Sequence, residues 1–101
     1  MGAVVSMVSA RIAPDRVADL TGRFSEAVRA GLPGHRRQTS LLRGDGGRWR
    51  LVTVWGSRDD LERYLASTEE PFALRLFRQA GGAPEVEVLD VVVDSGAPLW
   101  P

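Results

Sequence analysis

The chain has 101 residues, 44% of them apolar and 26% charged, a balance typical of one globular domain rather than a disordered segment. Its 13 basic residues, all arginine, equal its 13 acidic ones, so the net charge gives no general attraction to nucleic acid or to a membrane surface. The absence of cysteine excludes disulfides and thiolate chemistry, and a single histidine, His35, disfavours a histidine-based metal centre.

The first predicted elements are a strand and an amphipathic helix. Residues 4–12 alternate in polarity and are rich in β-branched side chains, which predicts a strand. The N-terminal apolar run is too short for a signal sequence or a membrane span, so we expect a cytoplasmic protein. After Pro14, apolar side chains recur at helical spacing from Asp15 to Ala30, and Gly31 is a typical C-terminal cap.

A β-hairpin and a second helical unit follow. Strands at 35–43 and 48–55 flank a glycine-rich loop, which predicts antiparallel pairing. Ser57 is a good N-cap for the next helix, whose apolar face includes Leu61 and Tyr64. A break at Glu69–Pro71 precedes a further helical segment at 71–80. The last predicted strand is 85–94.

The order β-α-β-β-α-β predicts the ferredoxin-like split βαβ, an α+β fold in which a four-stranded antiparallel sheet carries its helices on one face. We expect residues 1–94 to form a single domain and residues 95–101, including Leu99 and Trp100, to form a tail. The first and last strands are apolar on both faces, and such strands are normally covered on both. One chain has helices for only one face, so a homodimer is expected.

The third strand supplies the candidate functional residues. Alternation places Leu51, Thr53 and Trp55 on one face, and if that face meets the helices, Trp55 lies beneath Tyr64. The helical segment Phe72–Phe77 would complete the walls of a small-molecule pocket. This pattern predicts a pocket at the end of the third strand.

Three polar side chains are candidates for chemistry in that pocket. Tyr64 carries a hydroxyl that needs a partner if buried, Arg75 could stabilise an oxyanion, and His35 could act as a base. The alternatives are a core tryptophan at Trp55, a tyrosine at the rim, and an exposed arginine and histidine. The adjacent Arg36 and Arg37 are interpreted as a solvated edge.

The segment VTVWGSRDDLERYLAS resembles the signature of antibiotic biosynthesis monooxygenase domains, in the dimeric α+β barrel superfamily. LPGHRRQTSLLRGDGGRW is similar to the family's Pro-Gly entry into its second strand and to the hairpin that follows. The resemblance covers roughly residues 4–94. It implies a homodimer in which each subunit holds a pocket between its sheet and its helices.

The resemblance also implies an activity. Members of the family include oxygenases that convert anthrones or phenols of aromatic polyketides to quinones with O₂ and without a metal, flavin or other cofactor. By position, Trp55 matches the family tryptophan, Arg75 matches a pocket arginine of the anthrone oxidisers, and Tyr64 stands where many members have histidine. The expected catalytic residues are Tyr64, Arg75 and His35. The expected substrate-binding residues are Trp55, Thr53, Leu51, Leu61, Phe72 and Phe77.

Two positions depart from the anthrone oxidisers, since Leu51 and Leu61 stand where those enzymes have asparagine and tyrosine. Two alternatives therefore stay open beside a cofactor-independent oxygenase acting on a small hydrophobic aromatic substrate. One is a polyketide cyclase or isomerase on the same fold, and the other is a barrel that binds a small ligand without catalysis. Haem-degrading relatives need a haem-ligating histidine on a helix, and no predicted helix contains one.

Overall fold

Four strands and three helices make up the computed structural model, which describes residues 2–93 and 95. They follow one another in the order β1, α1, β2, β3, α2, α3 and β4. The strands are β1 (Val4–Arg11), β2 (Arg36–Arg43), β3 (Arg48–Trp55) and β4 (Glu85–Asp90). The helices are α1 (Val17–Ala30), α2 (Arg58–Ala66) and α3 (Phe72–Gln79), with a short 3₁₀ turn at Pro14–Arg16 before α1.

The strands form one antiparallel sheet in the order β2-β3-β1-β4. This order places the two strands that follow a helix at the edges and the two remaining strands at the centre, as the split βαβ arrangement requires. The predicted ferredoxin-like fold is confirmed. The predicted break between the last two helices is confirmed as well, since α2 ends at Ala66 and α3 begins at Phe72.

Helices cover one face of the sheet and form the core with it. The larger buried cluster joins β1 and β3 side chains to Leu20 of α1 and to Leu76 and Phe77 of α3. A smaller cluster joins Val4 and Trp55 to two side chains of α2. The start of α2 is fixed as predicted, because Ser57 Oγ accepts a hydrogen bond from Asp60 N at 3.2 Å.

The last strand is shorter than predicted, ending at Asp90 rather than at residue 94. Asp90 lies opposite Val4, the first residue of β1, so β1 offers no further strand residue to pair with. One backbone hydrogen bond continues beyond it, from Val91 N to Ala3 O at 3.0 Å. The tail residues Leu99 and Trp100, expected to extend from this strand, lie outside the described residues.

The opposite face of the sheet carries apolar side chains that no described helix covers. Register places on this face the residues that alternate with the core positions of each strand. They include Val5, Met7, Leu42, Val52 and Leu89. Leu42 on β2 and Leu89 on β4 are 47% and 42% exposed, so the apolar surface extends to both edge strands of the sheet.

Of the helices in residues 2–93, none combines the length and the apolar character that crossing a membrane would need.

Candidate functional site

A cavity of about 120 Å³ lies between the helix-covered face of the sheet and helices α2 and α3. Side chains from every strand and from both helices form its walls, and most of the wall is apolar. They are Ser6, Val8, Arg36, Thr53, Trp55, Leu61, Tyr64, Leu65, Pro71, Ala73, Leu74, Val86 and Val88. An apolar concavity with a few polar groups is the usual form of a small-molecule site.

Two stacked aromatic rings form one wall. Trp55, the last residue of β3, and Tyr64, two turns into α2, have ring centroids 5.4 Å apart and planes inclined by 29°. Both are buried, at 2% and 7% exposure. Trp55 Nε1 donates a hydrogen bond to Ser6 Oγ on β1 at 3.0 Å, which satisfies the buried indole N–H and fixes the ring.

The Tyr64 hydroxyl joins α2 to α3. Its oxygen accepts a hydrogen bond from the backbone N–H of Phe72, the first residue of α3, at 2.7 Å. This contact satisfies one of the N–H groups that the start of a helix leaves without an internal acceptor. A phenolic hydroxyl both accepts and donates, so the proton of Tyr64 remains available for a ligand in the cavity.

A cation lies against the two rings. The Arg36 Cζ atom is 4.8 Å from the centroid of Trp55 and 5.0 Å from that of Tyr64, within the range of cation–π contact. Nε of Arg36 donates to Pro33 O at 2.8 Å and Nη1 donates to Thr39 Oγ1 at 3.2 Å. Burial lowers the pKa of Arg36 from its usual value, and the nearby Tyr64 hydroxyl opposes that shift.

A β-bulge brings Arg36 to this position. Arg36 lies opposite Trp55 in the β2–β3 register, and the next pair is Gln38 with Val54, so Arg37 is the extra residue. With regular pairing, Arg37 would lie opposite Trp55 instead, because each one-residue shift exchanges the two faces of a strand. The bulge therefore decides which of the two arginines enters the cavity.

Hydroxyl groups continue the polar side of the cavity. Thr39 Oγ1 and Thr53 Oγ1 are 3.2 Å apart, and either can donate. Thr53 is 2% exposed and lines the cavity. A line of hydrogen bonds thus runs from the Arg36 guanidinium through Thr39 to a buried hydroxyl in the wall.

The structure brings four of the sequence-predicted residues to the cavity: Trp55, Thr53, Leu61 and Tyr64. Leu51 lies four residues before Trp55 on the same strand face, about 13 Å along the strand, and belongs to the core. Phe72 and Phe77 also belong to the core cluster, with exposures of 8% and 0%. None of these three lines the cavity.

Two predicted catalytic residues do not converge on the cavity. Arg75 is exposed, because it lies about 200° around α3 from the fully buried Phe77. His35 is also exposed and lines a separate, shallow depression, which it shares with Asp60, Arg63 and one side of Tyr64. The expected convergence of Arg75 and His35 with Tyr64 on one cavity is therefore corrected, although His35 and Tyr64 both border the separate depression.

Sequence reasoning missed several residues of the cavity. Arg36 was assigned to a solvated edge, although it occupies the position opposite Trp55. The alternation of β1 places Ser6 on the same face as Val4 and Val8, which is a signal that could have found it. Val86 and Val88 of β4 lie at the rim, since they pair with Val8 and Ser6.

Among residues 2–93 and 95, no group of three or more His, Cys, Asp or Glu side chains is placed to hold a metal ion. The polar atoms that face the cavity are hydroxyls, an indole N–H and a guanidinium. This set contains donors to an oxyanion rather than the usual ligands of a metal ion.

The sequence model of the antibiotic biosynthesis monooxygenase family matches residues 3–70 of the chain. The match includes Arg36, Trp55 and Tyr64 and ends before α3. No curated protein sequence shows a significant match.

Solved structures share the fold at low sequence identity. A Caulobacter crescentus protein assigned as an antibiotic biosynthesis monooxygenase is 22% identical, with a TM-score of 0.66 over 91% of this chain and 92% of that one. A mutant of SnoaB, a cofactor-independent oxygenase from Streptomyces nogalater, is 17% identical, with a TM-score of 0.67 over 93% and 97%. MhuD, a heme degrader from Mycobacterium tuberculosis, is 21% identical, with a TM-score of 0.66 over 92% and 99%.

Proposed function

Because the chain belongs to the antibiotic biosynthesis monooxygenase family, we propose that it oxidises a small aromatic or polyketide-derived substrate with O₂, without a resident cofactor. The observation that carries this proposal is the apolar cavity walled by the Trp55–Tyr64 stack. Aromatic rings in the cavity wall favour an aromatic ligand, since contacts between aromatic rings add to the free energy of burial.

The size of the cavity limits what it holds. Its volume of about 120 Å³ is close to that of an engineered cavity of roughly 150 Å³ that binds benzene. One aromatic ring therefore fits inside, and the rest of a fused ring system would extend past the rim formed by Leu65, Val86 and Val88. A haem, being larger still, would lie mostly outside the cavity, and the one histidine, His35, is exposed away from it. For this chain the cofactor-independent oxygenase SnoaB is thus the better guide than the heme degrader MhuD.

The proposed reaction uses the substrate as the reductant. An anthrone or phenol loses a proton, and the resulting electron-rich anion transfers one electron to O₂. The substrate radical and superoxide combine to a peroxide, and loss of water leaves a carbonyl group where the substrate had hydrogen. One oxygen atom of O₂ enters the product and the other leaves as water, so no further reductant is needed.

The protein would contribute binding, orientation and exclusion of water. Trp55 and Leu61 would hold the ring, while the hydroxyls of Tyr64 and Thr53 would donate hydrogen bonds to its oxygen substituents. The mostly apolar wall would keep bulk water from the peroxide. We do not assign a step to Arg75, since it is exposed away from the cavity.

We further propose that two copies of the chain associate through the open faces of their sheets. The exposed side chains of Leu42 and Leu89, with the half-buried Val5, Met7 and Val52 between them, form the required apolar patch. Sedimentation should give twice the 11.0 kDa of one chain. Leu89→Arg should yield monomers, whereas Val28→Arg, on an exposed site of α1, should not. A wild-type monomer would contradict the proposal.

Oxygen uptake tests the proposed activity. With an anthrone, or with a dihydroxynaphthalene whose hydroxyl groups lie on different rings, we expect one O₂ consumed for each quinone formed, with ¹⁸O from ¹⁸O₂ in the product. Tyr64→Phe should lower the rate, while Ser25→Ala, which removes an exposed hydroxyl from α1, should not. Product without O₂ uptake would instead indicate a cyclase or isomerase. Binding of the aromatic compounds without turnover would indicate a barrel that only binds its ligand.

A further inference from the structure

The cavity contains a positive charge, that of Arg36, and this charge faces an otherwise mostly apolar wall. Among the described residues, the ionisable side chains that line the cavity are the guanidinium of Arg36 and the phenol of Tyr64. No carboxylate and no imidazole lines the cavity within the described part of the chain. A substrate that must lose a proton therefore finds no carboxylate or imidazole there to take it.

The positive charge has no carboxylate partner. Arg36 takes part in none of the ion pairs formed by residues 2–93 and 95. Its guanidinium donates to two uncharged oxygens, Pro33 O and Thr39 Oγ1, and the Tyr64 hydroxyl lies close by. Both N–H groups of Nη2 have no carbonyl or carboxylate acceptor in this part of the structure. A half-buried cation without a counter-ion is costly unless an anion completes it.

We propose that Arg36 is the receptor for an oxyanion on the aromatic ring of the substrate, which enters the cavity already ionised. This inference rests on the proposed function, since it takes the aromatic ring to occupy the cavity. The oxyanion is a phenolate or enolate oxygen, or a carboxylate attached to the ring. A phenolate or enolate has already lost, in water, the proton that the reaction must remove, so for that form the protein needs no general base. A carboxylate is also ionised in water, and it would anchor the ring in the cavity without replacing the proton loss that the oxidation requires.

The geometry of Arg36 suits this role better than a lysine would. The guanidinium lies over two aromatic rings and has more N–H donors than its hydrogen bonds to Pro33 and Thr39 use, so donors remain for a ligand. The hydrogen bonds to Pro33 and Thr39 hold it in place before the ligand arrives. The oxygen of a ring beside the Trp55–Tyr64 stack would thus accept hydrogen bonds from N–H groups of the Arg36 guanidinium, which is positively charged and already held in position.

Paired ligands that differ only in charge test the proposal. The first pair is 4-nitrophenol and its methyl ether, which is larger by one methyl group and cannot ionise. The second pair is benzoate and benzamide, a neutral analogue of similar shape, and each compound has a single ring. We expect the anion of at least one pair to bind at least about tenfold more tightly than its neutral partner. The absorbance of 4-nitrophenol reports its ionisation directly, so the bound form should have the phenolate spectrum at a pH where the free compound is largely neutral.

The two pairs also identify the source of the charge. Binding of the phenolate alone would assign the oxyanion to a ring hydroxyl, and binding of benzoate alone would assign it to a carboxyl group. The proposal would be overturned if neither anion bound more tightly than its neutral partner. It would also be overturned if bound nitrophenol had the spectrum of its neutral form and benzoate did not bind. These measurements use the wild-type protein and do not depend on the folding of a variant.

Matched variants then test the residue. Arg36→Met should weaken binding of the preferred anion about 10- to 100-fold, because charged hydrogen bonds contribute most in such sites. Arg37→Met removes the same charge from the adjacent exposed residue and should change binding less than about twofold. Equal losses in the two variants would overturn the assignment. Anion binding without O₂ uptake would refute the proposed oxygenase activity and leave the anion site at Arg36 standing. O₂ uptake with no preference for anions would refute the anion site and leave the proposed oxygenase activity standing.

Discussion

Replacing Gly34 with alanine should destabilise the fold and disturb the aromatic stack in a single step. Gly34 has φ of +86°, a conformation that side-chain-bearing residues adopt rarely and at a cost. A Cβ atom at this position would also lie 3.1 Å from Tyr64 Cδ1 and 3.2 Å from Trp55 Cζ3. Ordinary carbon–carbon contacts are about 3.5–4.0 Å, so the rings would have to move.

Backbone strain and the contact of the added Cβ with the rings each contribute to the loss of stability, and a control variant separates the two contributions. Backbone strain of this kind costs about 1–3 kcal/mol, and overpacking of a filled site costs about 1–3 kcal/mol more. We therefore expect Gly34→Ala to lower the free energy of unfolding by about 2–6 kcal/mol. Gly31→Ala is the matched control, since Gly31 has φ of +96° but its added Cβ would have no heavy atom within 4 Å. Its loss should be about 1–3 kcal/mol, from strain alone.

Urea denaturation measures both losses, and near-ultraviolet circular dichroism measures the stack. Gly34→Ala should alter the signal of the Trp55 indole in the folded protein, whereas Gly31→Ala should leave it unchanged. Equal losses of stability together with identical spectra would refute the reasoning, because they would show that the Gly34 contacts with the rings cost nothing.

Three further predictions concern stability. Tyr64→Phe should lower the free energy of unfolding by about 1–3 kcal/mol, because the backbone N–H of Phe72 loses its acceptor in a buried setting. Phe77→Ala should cost about 3–5 kcal/mol, since the ring is fully buried. Arg78 hydrogen-bonds Glu70 and so holds the pKa of that carboxyl below its usual value of 4.5. Arg78→Ala should thus lower the urea midpoint at neutral pH but not in strong acid, where Glu70 is protonated.

Each of these predictions has a control or a contradicting result. Ser25→Ala removes an exposed hydroxyl and should change stability little, so an equal effect in Tyr64→Phe would argue against the buried hydrogen bond. Val28→Ala removes an exposed apolar group and should cost far less than Phe77→Ala. An Arg78→Ala effect that is the same at every pH would show that the lowered pKa of Glu70 contributes nothing to folding.

The fold could be predicted because its signals are local. Alternation marked β3 at its observed bounds, and Ser57 marked the start of α2. The end of β4 could not be predicted in this way, because Val91 to Val93 have the composition of a strand but lie beyond the first residue of their partner, Val4. Pairing, rather than composition, sets that boundary.

The site was only partly predictable, because it depends on irregular structure. Trp55 and Tyr64 were placed together by period alone. Arg36 was missed since a single bulged residue, Arg37, reverses which side chain faces the cavity, and no local pattern in β2 marks a bulge. Arg75 was expected in the cavity because its position in the sequence matches that of a pocket arginine in the related enzymes. In the structure the buried Phe77 defines the inward side of α3, and Arg75 lies on the other side of the helix.

The position of β4 has a consequence for the order in which the molecule opens. β4 pairs with β1 on one side only, and all six of its residues are exposed, whereas β1 is paired on both sides. Amide hydrogen exchange should therefore be fastest in β4 among the strands joined to β1, by local opening that leaves β1 and β3 intact. Val86 and Val88 belong to both β4 and the cavity rim. A ligand that enters the cavity would therefore pass beside β4, the strand whose amides we expect to exchange faster than those of β1 and β3.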